Sequence, residues 1–212
     1  MALSEKERQL MDEGVILPLM EQFYTIQGEG FHTGKAAYFI RLGGCDIGCH
    51  WCDTKLSWNP DLFPPVAATE IVEKALEAGT KDLVITGGEP LMYNLTLLTA
   101  LLKEKGFTLY LETSGAHPLQ GTFDWICLSP KRDKPPLPAI YPLADELKVI
   151  IETEEDLRWG EENAGRVREG CHLFLQPEWK RHREILPAII DYVKKHPRWR
   201  ISLQTHKFMR IP

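Results

Sequence analysis

The sequence predicts an α/β fold, built as a curved and incomplete βα barrel. Short apolar runs of strand length alternate with amphipathic stretches of helix length, which is typical of a parallel sheet covered by helices. The helical stretches are too few for eight βα units, and the segment 115–142 contains six prolines without any helix-length pattern. These two observations favour a shortened, modified barrel over a closed one.

The individual elements follow from the apolar pattern, taken in chain order. Buried strands are predicted over 37–42, 83–86, 107–112, 125–128, 147–151, 173–176 and 200–203. Apolar residues repeated on one face predict helices over 69–77, 95–105 and 184–195. Pro187 is compatible with the last helix if it lies in the first turn, where its missing N–H costs nothing.

Bulk properties limit the classes of protein to which this chain can belong. The 212 residues, 43% hydrophobic and 26% charged, are expected to form one globular domain over residues 1–212. No apolar run approaches the roughly 20 residues needed to cross a bilayer, and the net charge of −5 opposes a broad nucleic-acid surface. The charged start, MALSEKERQLMDEG, is unlike a secretory signal, so we expect a cytoplasmic protein with neither membrane nor nucleic-acid partners.

The most informative feature is the motif C-x3-C-x2-C formed by Cys45, Cys49 and Cys52. Three thiolates on one loop can hold three irons of a cubane cluster and leave the fourth iron open to a ligand, whereas clusters that only transfer electrons usually have four cysteine ligands. The alternative is a structural zinc site, which needs a fourth ligand.

The remaining cysteines bear on that alternative. His50, Cys127 or Cys171 could supply the fourth zinc ligand. Both cysteines, however, lie in apolar strand patterns and are expected to be inert core thiols. A disulfide framework is disfavoured, because the count of five is odd and three of the cysteines lie within eight residues.

Polar and glycine-rich segments follow four of the predicted strands, at 86–90, 112–115, 129–131 and 176–177. The carboxyl ends of parallel strands lie at one edge of a sheet, which is where binding and catalytic groups gather in such folds. We therefore expect these four segments to line one shared pocket.

The cysteine motif, with Trp51 just before its third cysteine, and the segment TGGEPL after a strand together resemble the radical S-adenosylmethionine (SAM) superfamily. The resemblance implies a [4Fe–4S] cluster held by the three cysteines, SAM as cofactor, and a βα barrel of the radical SAM type. Glycine in TGGEPL would allow close approach of the backbone to SAM.

Further segments narrow the resemblance: FYTIQGEGFHTG (23–34), Arg41, Asp53-Thr54, SPK, DELKVI, LQP and LQTHKFMRIP. From about residue 24 to the last, they closely resemble the 7-carboxy-7-deazaguanine synthases, lyases of the pathway to queuosine and other deazapurines. That family converts 6-carboxy-5,6,7,8-tetrahydropterin to 7-carboxy-7-deazaguanine with loss of ammonia, using SAM catalytically with Mg²⁺. The resemblance also implies a homodimer and reduction by a flavodoxin or ferredoxin.

The resemblance assigns roles to particular residues. The SAM contacts that it implies are Trp51, Cys52, Asp53, Gly88, Glu89, Ser129, Pro130, Lys131, Gln176, Pro177, Glu178 and Trp179. The substrate contacts that it implies are Ile26, Gln27, Gly28, Glu29, Arg41, Thr86, Glu112, His206 and Pro212. The Mg²⁺ ligand that it implies is Thr54, with Asp53 as the rival.

The residue types suit a pterin that carries a carboxylate. Carboxylates and amide oxygens accept from its donor edge, and arginine pairs with its carboxylate. Arg41 lies in an apolar strand, where burial without a partner is costly, so an anionic ligand is expected there. The carboxylate of Pro212 is expected to reach the pterin site.

Three points stay open. The family usually has a methionine or a similar residue after LQP, where this chain has Glu178-Trp179, so the adenine contacts are unsettled. Lys148 could bind SAM or pair with Asp145 or Glu146. The alternative functions are a glycyl-radical-enzyme activase, which has similar cysteine spacing, and a non-catalytic zinc-binding protein.

Overall fold

The computed structural model describes residues 4–212. The strands are β1 (Ile16–Ile26), β2 (Ala36–Leu42), β3 (Pro65–Ala67), β4 (Asp82–Gly87), β5 (Thr108–Thr113), β6 (Trp125–Leu128), β7 (Glu146–Ile151), β8 (His172–Pro177) and β9 (Trp199–Ile201). The helices are α1 (Glu5–Asp12), α2 (Ala68–Leu76), α3 (Thr96–Glu104), α4 (Glu155–Ala164), α5 (His182–Lys195) and α6 (Thr205–Met209).

Within the described residues these strands form one sheet, in the order β3-β1-β2-β4-β5-β6-β7-β8-β9. From β2 through β4 to β9 every neighbouring pair is parallel, as the alternation of strands and helices predicted. Strands β1 and β3 pair antiparallel at one edge. The end strands β3 and β9 do not pair with each other in this part of the chain, so the predicted incomplete barrel is confirmed.

The two faces of the sheet have different partners because side chains alternate along each strand. In β4, Leu83 and Ile85 are fully buried in the main core, which also contains Ile71 of α2 and Leu98 of α3. Thr86, which follows Ile85, faces the opposite side, where it lines a pocket. The helices therefore cover the convex face, and the concave face is left for ligands.

Several elements were not predicted. Strand β1 was missed because its sequence, ILPLMEQFYTI, mixes polar residues and a proline into the apolar run. Helix α4 (EDLRWGEENA) buries only Leu157, Gly160 and Asn163, so it lacks a clear apolar stripe. Strand β3 and helix α6 have only three and five residues, and the polar α1 buries none.

The expectation for Pro187 was wrong. Helix α5 begins at His182, so Pro187 is its sixth residue and lies inside the helix rather than in its first turn. The helix still packs through its predicted apolar face, with Ile185 and Ile189 buried. That packing offsets the hydrogen bond which a proline cannot donate.

No helix among residues 4–212 has the length and apolar character that crossing a membrane requires.

Candidate active site

A pocket of about 540 Å³ occupies the concave face at the carboxyl ends of the strands. All four polar segments that follow the strands contribute residues to it, so the expectation of one shared pocket is confirmed. Every residue for which the sequence predicted a role lines this pocket except Pro130, which is buried beside it between Ser129 and Lys131. Their position is thus established, and their individual roles stay predictions.

The cysteine loop forms one end of the pocket. Burial raises the pKa of the Cys45 and Cys49 thiols, while the Lys131 ammonium acts in the opposite direction on Cys49. The loop packs against the segment after β5, where Ile47 and Cys49 contact Ala116. The cation beside Cys49 offsets part of the cost that burial adds to forming the thiolate a cluster needs.

An ion-pair cluster fixes the same loop from outside the pocket. The Asp46 carboxylate lies 3.0 Å from Nε2 of His117 and 2.5 Å from Nζ of Lys134. These partners come from the chain that follows β5 and β6, so the loop is attached to two neighbouring strands. The three cysteines are therefore held at the strand ends before any ligand is bound.

The glycine-rich segment after β4 contacts the cysteine loop directly. The Gly88 N–H donates to the carbonyl of Leu42 at 3.0 Å, and the Glu89 N–H donates to the carbonyl of Gly44 at 2.9 Å. A Cβ placed on Gly88 would lie 2.3 Å from the carbonyl oxygen of Gly44 and 2.7 Å from Cβ of Cys45. Gly88 therefore allows the segment after β4 to pack closely against the cysteine loop, whether or not it also contacts a ligand.

Glu89 is enclosed below this segment and is 1% exposed. Its Oε1 accepts from the Leu91 N–H and the Thr113 hydroxyl, and its Oε2 accepts from the N–H and hydroxyl of Ser114. Four donors therefore satisfy the carboxylate and join the β4 loop to the end of β5. These contacts give Glu89 a structural function beside its predicted contact with SAM.

Lys131 organises the side of the pocket where a SAM contact is predicted. Its Nζ donates to the carbonyl and to the hydroxyl of Ser129, at 2.5 and 2.7 Å. It also lies 5.7 Å from the ring centre of Trp51. Burial lowers the pKa of Lys131.

The opposite end of the pocket contains carboxylates. Glu112 Oε1 accepts from Nε2 of Gln27 at 2.9 Å, and Glu29 Oε1 accepts from Nε2 of Gln204 at 2.8 Å. The ammonium of Lys148 lies 2.6 Å from Oε2 of Glu29 and 3.2 Å from Oε2 of Glu112. This end offers acceptor oxygens for a ligand edge that is rich in N–H donors.

The partners of Lys148 differ from those considered from the sequence. It contacts neither Asp145 nor Glu146 as an ion pair; its partners come from the segment after β1 and from β5. Asp145 instead pairs with Arg168, and Glu146 Oε2 accepts from the Phe31 N–H and the Trp125 indole.

Arg41 faces the pocket from β2 and has a partner within the protein. Its Nε donates to Oε1 of Glu21 at 2.7 Å, so its position in the strand does not by itself require an anionic ligand. The side chain is also 23% exposed rather than fully buried. Among residues 4–212, the guanidinium makes no hydrogen bond through its two Nη groups, which therefore keep donors for a ligand.

The C-terminal segment covers this end of the pocket. The Thr205 N–H donates to the carbonyl of Gly28 at 2.9 Å, and His206 lies so close that a Cβ on Gly28 would be 2.1 Å from its Nδ1. Burial lowers the pKa of His206. Pro212 lines the pocket, and its main-chain oxygen accepts from the Thr25 hydroxyl at 3.1 Å.

Asp53 and Thr54 lie between the two ends. The Thr54 hydroxyl donates to Oδ1 of Asp53 at 3.2 Å, and the Lys207 ammonium lies 2.5 Å from Oδ2 of Asp53. Burial acts to raise the pKa of Asp53, but Lys207 lowers it, so the carboxylate is ionised and already paired. Of the two candidate magnesium ligands, Thr54 is the one not occupied by a cation.

Lys207 and Gln204 are functional candidates that the sequence reasoning missed. Both lie in the quoted motif LQTHKFMRIP, from which only His206 and Pro212 were chosen. Lys207 also lies 4.8 Å from the ring centre of Trp179, which stacks on His182 with ring centres 4.8 Å apart. Glu178, beside Trp179, is buried, and its Oε2 accepts from the Arg181 N–H.

The residues present fit a cluster bound by three cysteines better than a zinc site. The proposed fourth zinc ligands lie elsewhere: His50 pairs with Glu152, while Cys127 and Cys171 do not line this pocket. Within the described residues no three His, Cys, Asp or Glu side chains converge to hold one metal ion. The thiolates of a cubane each bind a different iron, so they need not converge on one point.

Comparisons with known proteins agree with this arrangement. Residues 39–126, which include the cysteine loop and the segment after β4, match the radical SAM superfamily. A 7-carboxy-7-deazaguanine synthase of Flavobacterium psychrophilum is 54% identical over 208 residues, or 98% of this chain and 99% of that protein. The chain belongs to the 7-carboxy-7-deazaguanine synthase family.

More distant members agree. The 7-carboxy-7-deazaguanine synthase of Escherichia coli K12 is 34% identical, with 92% of this chain and 98% of that protein covered. The crystal structure of QueE from Escherichia coli superposes with a TM-score of 0.80 at 29% identity, covering 94% of this chain and 99% of that one. These matches span both ends of the pocket and confirm a radical SAM barrel. They also favour this family over the glycyl-radical-enzyme activase.

Proposed function

We infer that this chain converts 6-carboxy-5,6,7,8-tetrahydropterin to 7-carboxy-7-deazaguanine with loss of ammonia, the reaction of its family. The observation that carries this inference is the single pocket with two chemically different ends. One end has three cysteines beside a glycine-rich loop, and the other has carboxylates, amides and Arg41. A cofactor and a donor-rich, carboxylated substrate thus fit side by side.

The cysteine end holds the cofactors in this proposal. Cys45, Cys49 and Cys52 would hold a [4Fe–4S] cluster, and Gly88, Lys131 and their neighbours would contact SAM. When bound, the cluster and SAM together supply the one-electron chemistry that starts the rearrangement. The chain itself positions the reacting groups. Its loops are attached to rigid strands, so the cofactors and the substrate are kept at a fixed separation.

The carboxylate end orients the substrate. Glu29, Glu112 and Gln27 would accept from the donor edge of the pterin, and Arg41 would donate to its carboxylate. Thr54, beside the cysteine loop, would offer its hydroxyl as a ligand to Mg²⁺, and the ion would supply positive charge close to the substrate carboxylate. Gly28 and the C-terminal segment would close the pocket over the substrate.

The partners complete the proposal. One-electron chemistry at this site needs an external reductant, and a flavodoxin or ferredoxin would supply the electron. The five cysteines are all free thiols, which suits a reducing compartment such as the cytoplasm. A homodimer is expected from the family.

The direct test is anaerobic incubation of the reconstituted protein with SAM, a reductant, Mg²⁺ and the carboxypterin, followed by mass analysis. The expected products are 7-carboxy-7-deazaguanine and ammonia. A brown protein that cleaves SAM without converting the pterin would contradict the substrate assignment. A colourless protein with one tightly held zinc would contradict the whole proposal.

The role of Arg41 gives a second test, because its ion pair with Glu21 can be separated from substrate binding. We expect Arg41→Gln to raise KM for the pterin about thirtyfold, since a charge-assisted hydrogen bond contributes about 2 kcal/mol. The matched variant, Glu21→Gln, removes only a half-exposed ion pair, which contributes about 0.2–1 kcal/mol. Equal effects of the two variants on KM would show that Arg41 serves Glu21 and not the substrate.

A further inference from the structure

The side chain of Lys148 is 4% exposed, and no part of the proposed reaction uses it directly. Burial of an ammonium is costly unless the charge is paired. Lys148 is paired twice, with Oε2 of Glu29 at 2.6 Å and Oε2 of Glu112 at 3.2 Å. In the sequence, Glu29 and Glu112 lie 119 and 36 residues from Lys148. Both line the proposed substrate end of the pocket.

We propose that Lys148 is a positioning residue, whose ammonium holds Glu29 and Glu112 side by side as carboxylates so that both accept from the donor edge of the substrate. The inference rests on the proposed function, and it assigns Lys148 to that reaction without direct contact with the reacting atoms. It replaces the two partners considered from the sequence, Asp145 and Glu146.

The geometry supports this arrangement because the remaining oxygens are also fixed. Gln204 donates to Oε1 of Glu29, and Gln27 donates to Oε1 of Glu112. Each carboxylate is thus held at both oxygens, with Lys148 common to the two. A ligand therefore meets two oriented carboxylates that carry one compensating charge, and this leaves one net negative charge for a donor-rich edge.

The protonation states agree with the geometry. Burial acts to raise the pKa of Glu29, but Lys148, with help from Gln204 and Gln176, lowers it to about 2. Burial acts to lower the pKa of Lys148, yet the acidic groups around it raise that pKa well above its ordinary value. Both groups are therefore charged at every pH at which the protein would be assayed.

Other titratable groups face this cluster and must be considered with it. They are Cys127 and Glu146 from β6 and β7, Glu112 itself, Lys131, Asp53, and His206 and Lys207 from α6. Burial raises the pKa of both Cys127 and Glu146 and lowers that of His206, so these three favour their neutral forms. None of them supplies a cation at the place of Lys148.

Loss of the ammonium should therefore change the pH dependence of substrate binding. In Lys148→Met the effect of burial on Glu29 loses its main opposition, so the pKa of Glu29 rises and its carboxylate takes up a proton. A protonated carboxyl cannot accept in the same way, and substrate binding weakens. Below the new pKa, each rise of one pH unit increases the ionised fraction, and with it substrate affinity, by about tenfold. Above that pKa the carboxylate is fully ionised and affinity no longer changes with pH.

The experiment compares KM for the carboxypterin between about pH 6 and 9 in anaerobically reconstituted full-length variants. We expect Lys148→Met to raise KM at least about tenfold at neutral pH and to lose this excess as pH rises. Lys148→Arg, which keeps the cation, should restore the wild-type pH profile even if kcat falls. Lys103→Met, which removes the lysine of an ion pair with Asp124 outside the pocket, is the matched control and should leave KM unchanged.

Two further measurements keep the test decisive. If Lys148→Met does not fold, Glu112→Gln is added to it, because this second substitution removes one of the two carboxylates left without a cation. The KM of the double variant for the carboxypterin should still fall as pH rises. Iron content and SAM cleavage without pterin report whether the cysteine end is intact. A ratio of variant to wild-type KM that does not change with pH overturns the role of Lys148; failure of the wild-type protein to convert the pterin overturns the proposed function instead.

Discussion

Replacing Cys45 by alanine is expected to abolish product formation and to prevent the protein from holding about four irons per chain. The reason is that the pocket has no spare thiol. Cys49 and Cys52 line it with Cys45, whereas Cys127 and Cys171 do not. The loop is also fixed by the ion pairs of Asp46, so it cannot move to bring in another ligand without breaking them. Iron and sulfide analysis after anaerobic reconstitution measures the loss independently of turnover.

The matched control is Cys171→Ala. This thiol is half-buried outside the pocket, and burial raises its pKa to about 12, so it stays a neutral thiol and a poor iron ligand. We expect wild-type iron content and turnover from this variant. Retention of activity in Cys45→Ala would refute the cluster assignment, and loss of iron in both variants would show that either substitution only disturbs folding.

Much of the sheet was predictable because its strands are buried on both faces and read as continuous apolar runs. Strand β6 has the predicted bounds, 125–128, and the other parallel strands differ from prediction by a few residues. Strand β1 was not predictable in this way. Its pocket-facing side carries Glu21 and Thr25, so function places polar residues where an apolar pattern would otherwise mark a strand.

The cysteine end of the site was predictable because its ligands are close in sequence. The carboxylate end was less so, because its contacts join distant segments. Glu29 and Glu112 were identified through the family resemblance, but the role of their partner Lys148 was left open between a SAM contact and an ion pair with Asp145 or Glu146. The alternation of side chains along β7 does predict which face Lys148 occupies. Leu147 and Val149 are core residues, so Lys148 between them points to the opposite face, where its partners lie across the pocket.

Replacing Gly88 by alanine is the second substitution with a large expected effect. The added methyl group would lie 2.3 Å from the carbonyl oxygen of Gly44 and 2.7 Å from Cβ of Cys45. Neither atom is the end of a flexible side chain, so the two loops must separate. Overpacking of this kind costs about 2 kcal/mol, which lowers Tm by about 4–8 °C in a chain of this length. We expect SAM affinity and iron content to fall together.

A joint loss of SAM affinity, iron content and Tm distinguishes between two explanations of why a glycine stands at position 88. If Gly88 only leaves space for the methionine part of SAM, the variant loses SAM affinity while iron content and Tm stay at wild-type values. If the contact with Gly44 and Cys45 matters, as the structure indicates, all three measurements decrease. Gly79→Ala is the matched control, because a Cβ there meets no atom within 4 Å. It should leave iron content, SAM affinity and Tm unchanged, so any loss in Gly88→Ala reflects the contact between the loops and not the removal of a glycine.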